Sequence, residues 1–205
     1  YNSARSDFFR ASRLNYDPRI QDESLFNYAK LSYELKYDQD AISALQGITP
    51  TSSYYTEAQT LMSNIFLDTR DYEGALAIMR TLPQPLTPDL REAYQKVNYY
   101  RGVQLYAQED FVQAERYFRE SINTPVDART KALAVFWLGD MAHRRNDFVG
   151  SSRYLNQFLT LGRTMRDLPD ESSLATANYI QGYNYLKEEN YTAALGYFQE
   201  TISAI

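Results

Sequence analysis

The sequence predicts an all-α chain: helical hairpins stacked into a right-handed α-α superhelix, five hairpins complete and one unpaired helix at the N-terminus. Three observations carry this. A short phrase recurs along the chain at a spacing that suits a pair of helices. Upstream of most copies lies a second helical stretch with its own small residue. Prolines cluster between these blocks, and long period-two alternation, the mark of a half-buried strand, is absent.

The phrase is Asp or Asn, an aromatic, two residues, a small residue, three residues, then a bulky apolar one. A form of it opens the chain as Tyr1, Ala4, Phe8 and Ala11, predicting a helix over 2–13. A helix over 23–36 then leads to a shortened copy, Asp38 with Ala41 and Leu45, over 39–47. The stretch 54–68, carrying Ser63, precedes Asp71-Tyr72 with Ala75 and Met79 over 72–81. Next come 89–107 with Gly102, then Asp110-Phe111 with Ala114 and Phe118 over 111–122. The stretch 127–144 with Gly139 leads to Asp147-Phe148, Ser151 and Leu155 over 148–160. Finally 171–187 with Gly182 leads to Asn190-Tyr191, Ala194 and Phe198 over 191–204. The small residues fall at 4, 41, 75, 114, 151 and 194, separated by 37, 34, 39, 37 and 43.

Each part has a mechanical reason. Asp or Asn accepts hydrogen bonds from the free N–H groups that open a helix. The small residue lets the preceding helix come close, and the bulky one fills the seam beside it. Glycine costs about 1 kcal/mol against alanine inside a helix, so Gly102, Gly139 and Gly182 at matching positions point to close helix packing. Pro50, Pro83, Pro85, Pro88, Pro125 and Pro169 are expected between hairpins.

Composition narrows function. With 44% hydrophobic and 23% charged residues, the chain is a folding sequence rather than a disordered one. No apolar run reaches the roughly 18 residues of a membrane span, so membrane insertion of this segment is not expected. A net charge of −5 argues against nucleic acid, whose binding rests on Lys and Arg neutralising phosphates. Arg144, Arg145, Arg163 and Arg166 form the densest basic region and, dispersed among acids, read as solvated surface. Without cysteine there are no disulfides, thiol nucleophiles or zinc–thiolate sites. The 19 tyrosines each join an apolar body to a polar tip, which suits partly wet packing and recognition surfaces.

Catalytic parts are missing. His143 is the one histidine, so no two-histidine metal site can form. Its place near a helix end suits a favourable contact with the helix C-terminus. The pairs Glu188-Glu189 and Asp170-Glu171 fall at turns or helix starts, where carboxylates cap and solubilise. Ser151-Ser152 and Ser172-Ser173 lack a nearby base or a nucleophile elbow. The expectation is a non-enzyme with no cofactor and no metal.

Aligned on these residues, the chain resembles the tetratricopeptide repeat family over nearly its whole length. The match is clearest in Tyr99–Ser121 and Tyr179–Thr201, where Gly182, Tyr185, Tyr191, Ala194 and Phe198 occupy the family's Gly, Tyr, Tyr, Ala and Phe positions. Asn98 and Asn178 depart from it, standing where the family prefers a large aromatic; Ser151 replaces the small alanine, and the first hairpin is one residue short. Stretches such as Leu25–Leu35 are similar to long tetratricopeptide arrays of Bacteroidota, which implies a cell-envelope, periplasmic setting. The register opens on a second helix, and no polar capping helix follows Ile205. A single solenoid domain over 1–205 is therefore expected to be an excerpt of a longer array. Its ends should expose apolar surface that a second copy of the chain could cover.

The resemblance also implies a concave face. In the family, residues three before, one after and four after the small first-helix residue tend to line it. Here these are Thr60, Asn64 and Leu67; Tyr99, Val103 and Tyr106; Phe136, Asp140 and His143; and Tyr179, Tyr183 and Leu186. The cations with which the family's familiar peptide pocket grips a C-terminal carboxylate are largely absent. In their place stands an aromatic line with Asp140 and His143 as polar points, a composition favoured for binding anchors. Aromatics at helical spacing also serve as packing, so the line reads either as groove or as core. Trp137, one step off it, reads as wedged between helices. The leading expectation is a scaffold that holds a peptide or partner protein in this groove. Glycan stacking on the aromatic faces and a purely architectural spacer are the alternatives.

Overall fold

A computed structural model describes residues 1–14 and 17–203. Among them are eleven α-helices and no strand. The helices are α1 (Asn2–Ser12), α2 (Pro18–Glu34), α3 (Asp38–Gln46), α4 (Tyr55–Asp68), α5 (Tyr72–Met79) and α6 (Pro88–Ala107), followed by α7 (Phe111–Asn123), α8 (Ala128–Arg144), α9 (Phe148–Gly162), α10 (Leu174–Lys187) and α11 (Tyr191–Ser203). A single 3-10 turn, Asp170–Ser172, precedes α10. No helix is long and apolar enough to cross a membrane among the described residues. The expected run of the last helix to residue 204, and Ile205, lie outside the described residues.

Two helices open on prolines against expectation, and α10 starts at Leu174, three residues after the expected 171, behind the 3-10 turn. α2 starts at Pro18, five residues before the expected 23, with Asp17 accepting from the Arg19 N–H at 2.8 Å. Pro88 opens α6 and is not a loop residue. In the first turn a helix has no internal partner for the backbone N–H that proline lacks, and its fixed φ is already helical. The Asp-Pro pair at 17–18 was the signal for the earlier start.

The capping half of the phrase is present in its four full copies but not in the shortened one, where Asp38 lies inside α3 and Tyr37 holds the cap position without a side-chain bond. Asp71, Asp110 and Asp147 accept from the N–H groups of Gly74, Gln113 and Gly150 at 3.0, 3.2 and 2.9 Å, and Asn190 accepts from Ala193 at 3.2 Å. A further regularity sits one residue earlier. Lys36, Arg70, Glu109, Asn146 and Glu189 all have positive φ, between 56° and 65°. Each stands five positions before a small residue of the phrase (36 and 41, 70 and 75, 109 and 114, 146 and 151, 189 and 194). In four of these turns the next N–H reaches back five residues: Tyr37 to Ser32, Asp110 to Leu105, Asp147 to Ala142 and Asn190 to Tyr185, at 2.7–2.9 Å. This is the helix-ending left-handed turn that glycine usually occupies. With side chains there instead, the regularity carries no composition signal and was invisible in the sequence.

The chain forms two compact units, Tyr1–Tyr94 and Gln95–Ile205. In the first, α1 packs on α2, α2 on α3, and α4 on α2, α3 and α5. Arg5 ties α1 down, donating to Ser32 Oγ (2.9 Å), to the Tyr28 hydroxyl (3.1 Å) and to Asp40. The Tyr33 hydroxyl donates to Asp68, and that hydrogen bond, with burial and the carboxylate charge, pushes it up to about 12.

In the second unit α8 packs on α7 and α9, and α10 on α8, α9 and α11. Its core gathers Ala132, Val135, Phe136, Leu155, Phe158, Ala177 and Ile180. The close-packing reading of the glycines is realised here. A Cβ built on Gly102 would stand 2.7 Å from the Phe118 ring, one on Gly182 2.7 Å from Phe198, and one on Gly139 2.9 Å from Leu155. The bulky residues of these three phrases thus rest on the glycine of the helix before them.

Buried polar groups close the loop between α7 and α8. The Gln95 amide oxygen accepts from the N–H groups of Val126 and Asp127 at 2.9 and 2.6 Å, while its nitrogen donates to the Asp127 carbonyl at 2.9 Å. Asp127 caps α8 by accepting from the Thr130 N–H and hydroxyl at 2.7 and 2.6 Å. Partial burial pushes its carboxyl up, but these bonds and the charges of Lys96 and Arg129 outweigh that and hold it below the usual range. A carboxyl lowered in the folded state stabilises above its unfolded value, near pH 4, and the gain is lost as pH falls through the folded value. Asp127→Ala should therefore cost about 1 kcal/mol at neutral pH. In urea titrations the gap from the parent chain should close as pH drops below about 4.

Candidate functional site

Three helices of the second unit carry most of the predicted concave line, and the structure divides that line into core, bridge and surface. Phe136 is a correction: at 1% exposure its ring lies in the core, 5.2 Å from Phe158 and 5.5 Å from Trp137, and is not available to a ligand. Tyr99, 9% exposed, packs against Phe118 and Tyr100. Burial pushes its hydroxyl above the ordinary tyrosine range. Both residues sit three before the small residue, and there the neighbouring first helix covers them. Trp137 is wedged as expected, its ring 4.5 Å from Tyr106 and stacked at 6.3 Å on Phe118.

The polar points hold helices together. The buried Asp140 accepts from the Tyr106 hydroxyl and from Arg144 Nε at 2.8 Å, and the Arg144 guanidinium lies over the Tyr106 ring at 5.4 Å. Burial first, then the hydrogen bond to Asp140 and its charge, push the Tyr106 hydroxyl far up, so it remains a donor at any physiological pH. Val103, half-buried, lies on the same stretch of α6. In the first unit Asn64 is exposed on α4, as is Thr60, whose hydroxyl is 2.5 Å from Asp89 Oδ2; Leu67 is half-buried.

In the second unit, the exposed part of the line is on α10. Tyr179, Tyr183 and Leu186 are 54%, 37% and 39% exposed and, at i, i+4 and i+7, share one face. His143 of α8 adjoins them, its ring 5.7 Å from Tyr183 at 81°, and Lys187 Nζ lies 5.4 Å from the centre of the same Tyr183 ring. His143 Nδ1 is 2.6 Å from Asn184 Oδ1. The Asn184 nitrogen donates to Ser151 Oγ (2.8 Å) and Gln181 Oε1 (3.2 Å), so its oxygen is the acceptor and His143 Nδ1 the donor. Nε2 is thereby left to a ligand, as an acceptor when the ring is neutral.

Sequence reasoning missed this supporting network. Asn184 and Gln181 are fully buried amides, and Gln181 continues the chain of bonds to the Ser152 carbonyl (3.3 Å) and Asn156 Oδ1 (2.9 Å). The readable signal was a pair of amides three apart, two positions after and one before Gly182, the residue that faces the next helix.

No group of three metal-ligating side chains comes together among the described residues. No protein-family model matches the chain, and no curated protein is significantly similar to it. Among solved structures it is similar to the crystal structure of BtubC (BKLC) from P. vanneervenii, with a TM-score of 0.53 and 17% identity over 99% of this chain and 88% of that one. That likeness concerns the fold alone.

Proposed function

We propose that the chain is a non-catalytic interaction module of tetratricopeptide type, and that a peptide or partner protein docks on the first helices of its second unit. The observation that carries this is the exposed Tyr179–Tyr183–Leu186 face with His143 beside it. Tyrosines give large contact area for little lost side-chain freedom, and an anchored imidazole adds one directional polar contact. The hairpin period, the glycine-on-aromatic seams and the five matching left-handed turns support stacking of the hairpins as a solenoid. The resemblance to envelope arrays supports a periplasmic setting.

The test compares the parent chain with Tyr179→Ala/Tyr183→Ala in capture from an envelope extract, followed by titration of the protein retained. Anchors of this kind are worth about 2 kcal/mol or more, so the variant should bind about thirtyfold more weakly. Because both side chains are open to solvent, its melting curve should stay close to that of the parent. Equal retention by a folded variant would remove this face from the function.

A further inference from the structure

On the other side of α10, α9 and α11 leave a cleft of about 670 Å³ between them. That is within the roughly 300–1,000 Å³ usual for small-ligand sites. Its apolar lining is Leu159, Leu174, Ala193 and Gly196. The Tyr197 hydroxyl spans the cleft to Asn156 Oδ1 at 3.0 Å, which fixes the two walls.

Three polar side chains lining the cleft are open to a ligand, Arg163 and Glu200 being exposed and Asn178 largely buried. Asn178, at 9% exposure, makes no hydrogen bond to any described residue. Its polar atoms are not sealed from solvent, so the amide can exchange water for a ligand in the cleft. Arg163, at the end of α9, and Glu200, on α11, line the same cleft, yet neither forms an ion pair with the other or with any described residue. The cleft therefore offers one cation, one anion, one amide with both donor and acceptor, and an aliphatic surface.

We infer that this cleft binds a zwitterionic amino acid or short peptide with aliphatic side chains. The ligand carboxylate meets Arg163, its ammonium meets Glu200, its backbone amide satisfies Asn178, and its side chains lie on Leu159, Leu174 and Ala193. A neutral polyhydroxylated ligand could bond Asn178 but would gain no ion pair from Arg163 or Glu200, which lie exposed at the cleft. The site is separate from the α10 face, so its test is independent of the docking proposal.

The experiment is calorimetric titration of the full chain with leucyl-leucine, its N-acetyl form and its C-terminal amide. Leucyl-leucine should bind saturably, and each blocked form should bind at least about tenfold more weakly, because charge-assisted hydrogen bonds are the stronger kind. Arg163→Gln should weaken leucyl-leucine comparably while losing most of its preference over the C-terminal amide. Gly196→Trp fills the cleft and should abolish binding. A Cβ at Gly196 has nothing within 4 Å, so this variant should stay folded, as its melting curve will show. No heat of binding up to about 10 mM leucyl-leucine, equal binding of the blocked forms, or undiminished binding by a folded Gly196→Trp would each overturn the inference. So would tighter binding of a neutral mono- or disaccharide that Gly196→Trp abolishes.

Discussion

Phe136→Ala is expected to destabilise the second unit by about 3–5 kcal/mol, the range for removing a fully buried phenylalanine. The ring is 1% exposed and packs with Phe158 and Trp137, in a core that also draws Ala177 and Ile180 from α10. Truncation leaves a cavity bounded by three helices, and those helices are held by hydrogen bonds that resist collapse into it. Urea unfolding followed by circular dichroism would measure this. A loss under about 1 kcal/mol would mean that the site closes over the gap, against the tight packing seen. Since domain stabilities are about 5–15 kcal/mol in total, such a loss would itself impair any function. A binding defect in this variant could therefore not be read as loss of a groove contact, whereas one in Tyr179→Ala could.

Gly102→Ala should produce the second large loss, in a direction opposite to helix propensity. Alanine is favoured over glycine inside a helix by about 1 kcal/mol. At Gly102, however, the new methyl would stand 2.7 Å from the Phe118 ring. That ring is fully buried, stacked on Trp137 and packed against Tyr99, so it has no free side to move toward. Overpacking of this kind costs about 1–3 kcal/mol, and separation of α6 from α7 would break the seam along the whole hairpin. We expect a net loss of about 2 kcal/mol. Gly196→Ala supplies the control: nothing lies within 4 Å of its Cβ, so propensity acts alone and stability should rise by about 0.5–1 kcal/mol. If both substitutions shifted the denaturation midpoint the same way, close approach would not be what Gly102 provides.

These contrasts show how much was legible in advance. Helix positions and hairpin turns were, because the phrase encodes interactions between residues a few positions apart: a cap, a small residue and the bulky side chain that rests on the preceding glycine. Asp110 capping α7 and Phe118 over Gly102 both follow from local chemistry. The early start of α2 was missed by the expected opening at 23, although Asp17-Pro18 carries the local signal for it. The left-handed residues Lys36, Arg70, Glu109, Asn146 and Glu189 were not legible, since five different positions without glycine give no shared letter to read.

The candidate site was legible only as a set of positions. Tyr99, Phe136 and Tyr179 hold the same register, three before Gly102, Gly139 and Gly182, yet they are 9%, 1% and 54% exposed. By itself the sequence determined that each would project from the same side of a first helix, because the 3.6-residue period fixes direction relative to the glycine. The tertiary structure alone decided which were core and which were surface. α8 is packed by α7, α9 and α10, so Phe136 is enclosed, whereas Tyr179 is flanked by α9 and α11 with the Phe198 ring 6.0 Å to one side and solvent on the other. Direction is a property of one helix. Burial depends on the neighbours that close over it, and those come from residues far away in the chain.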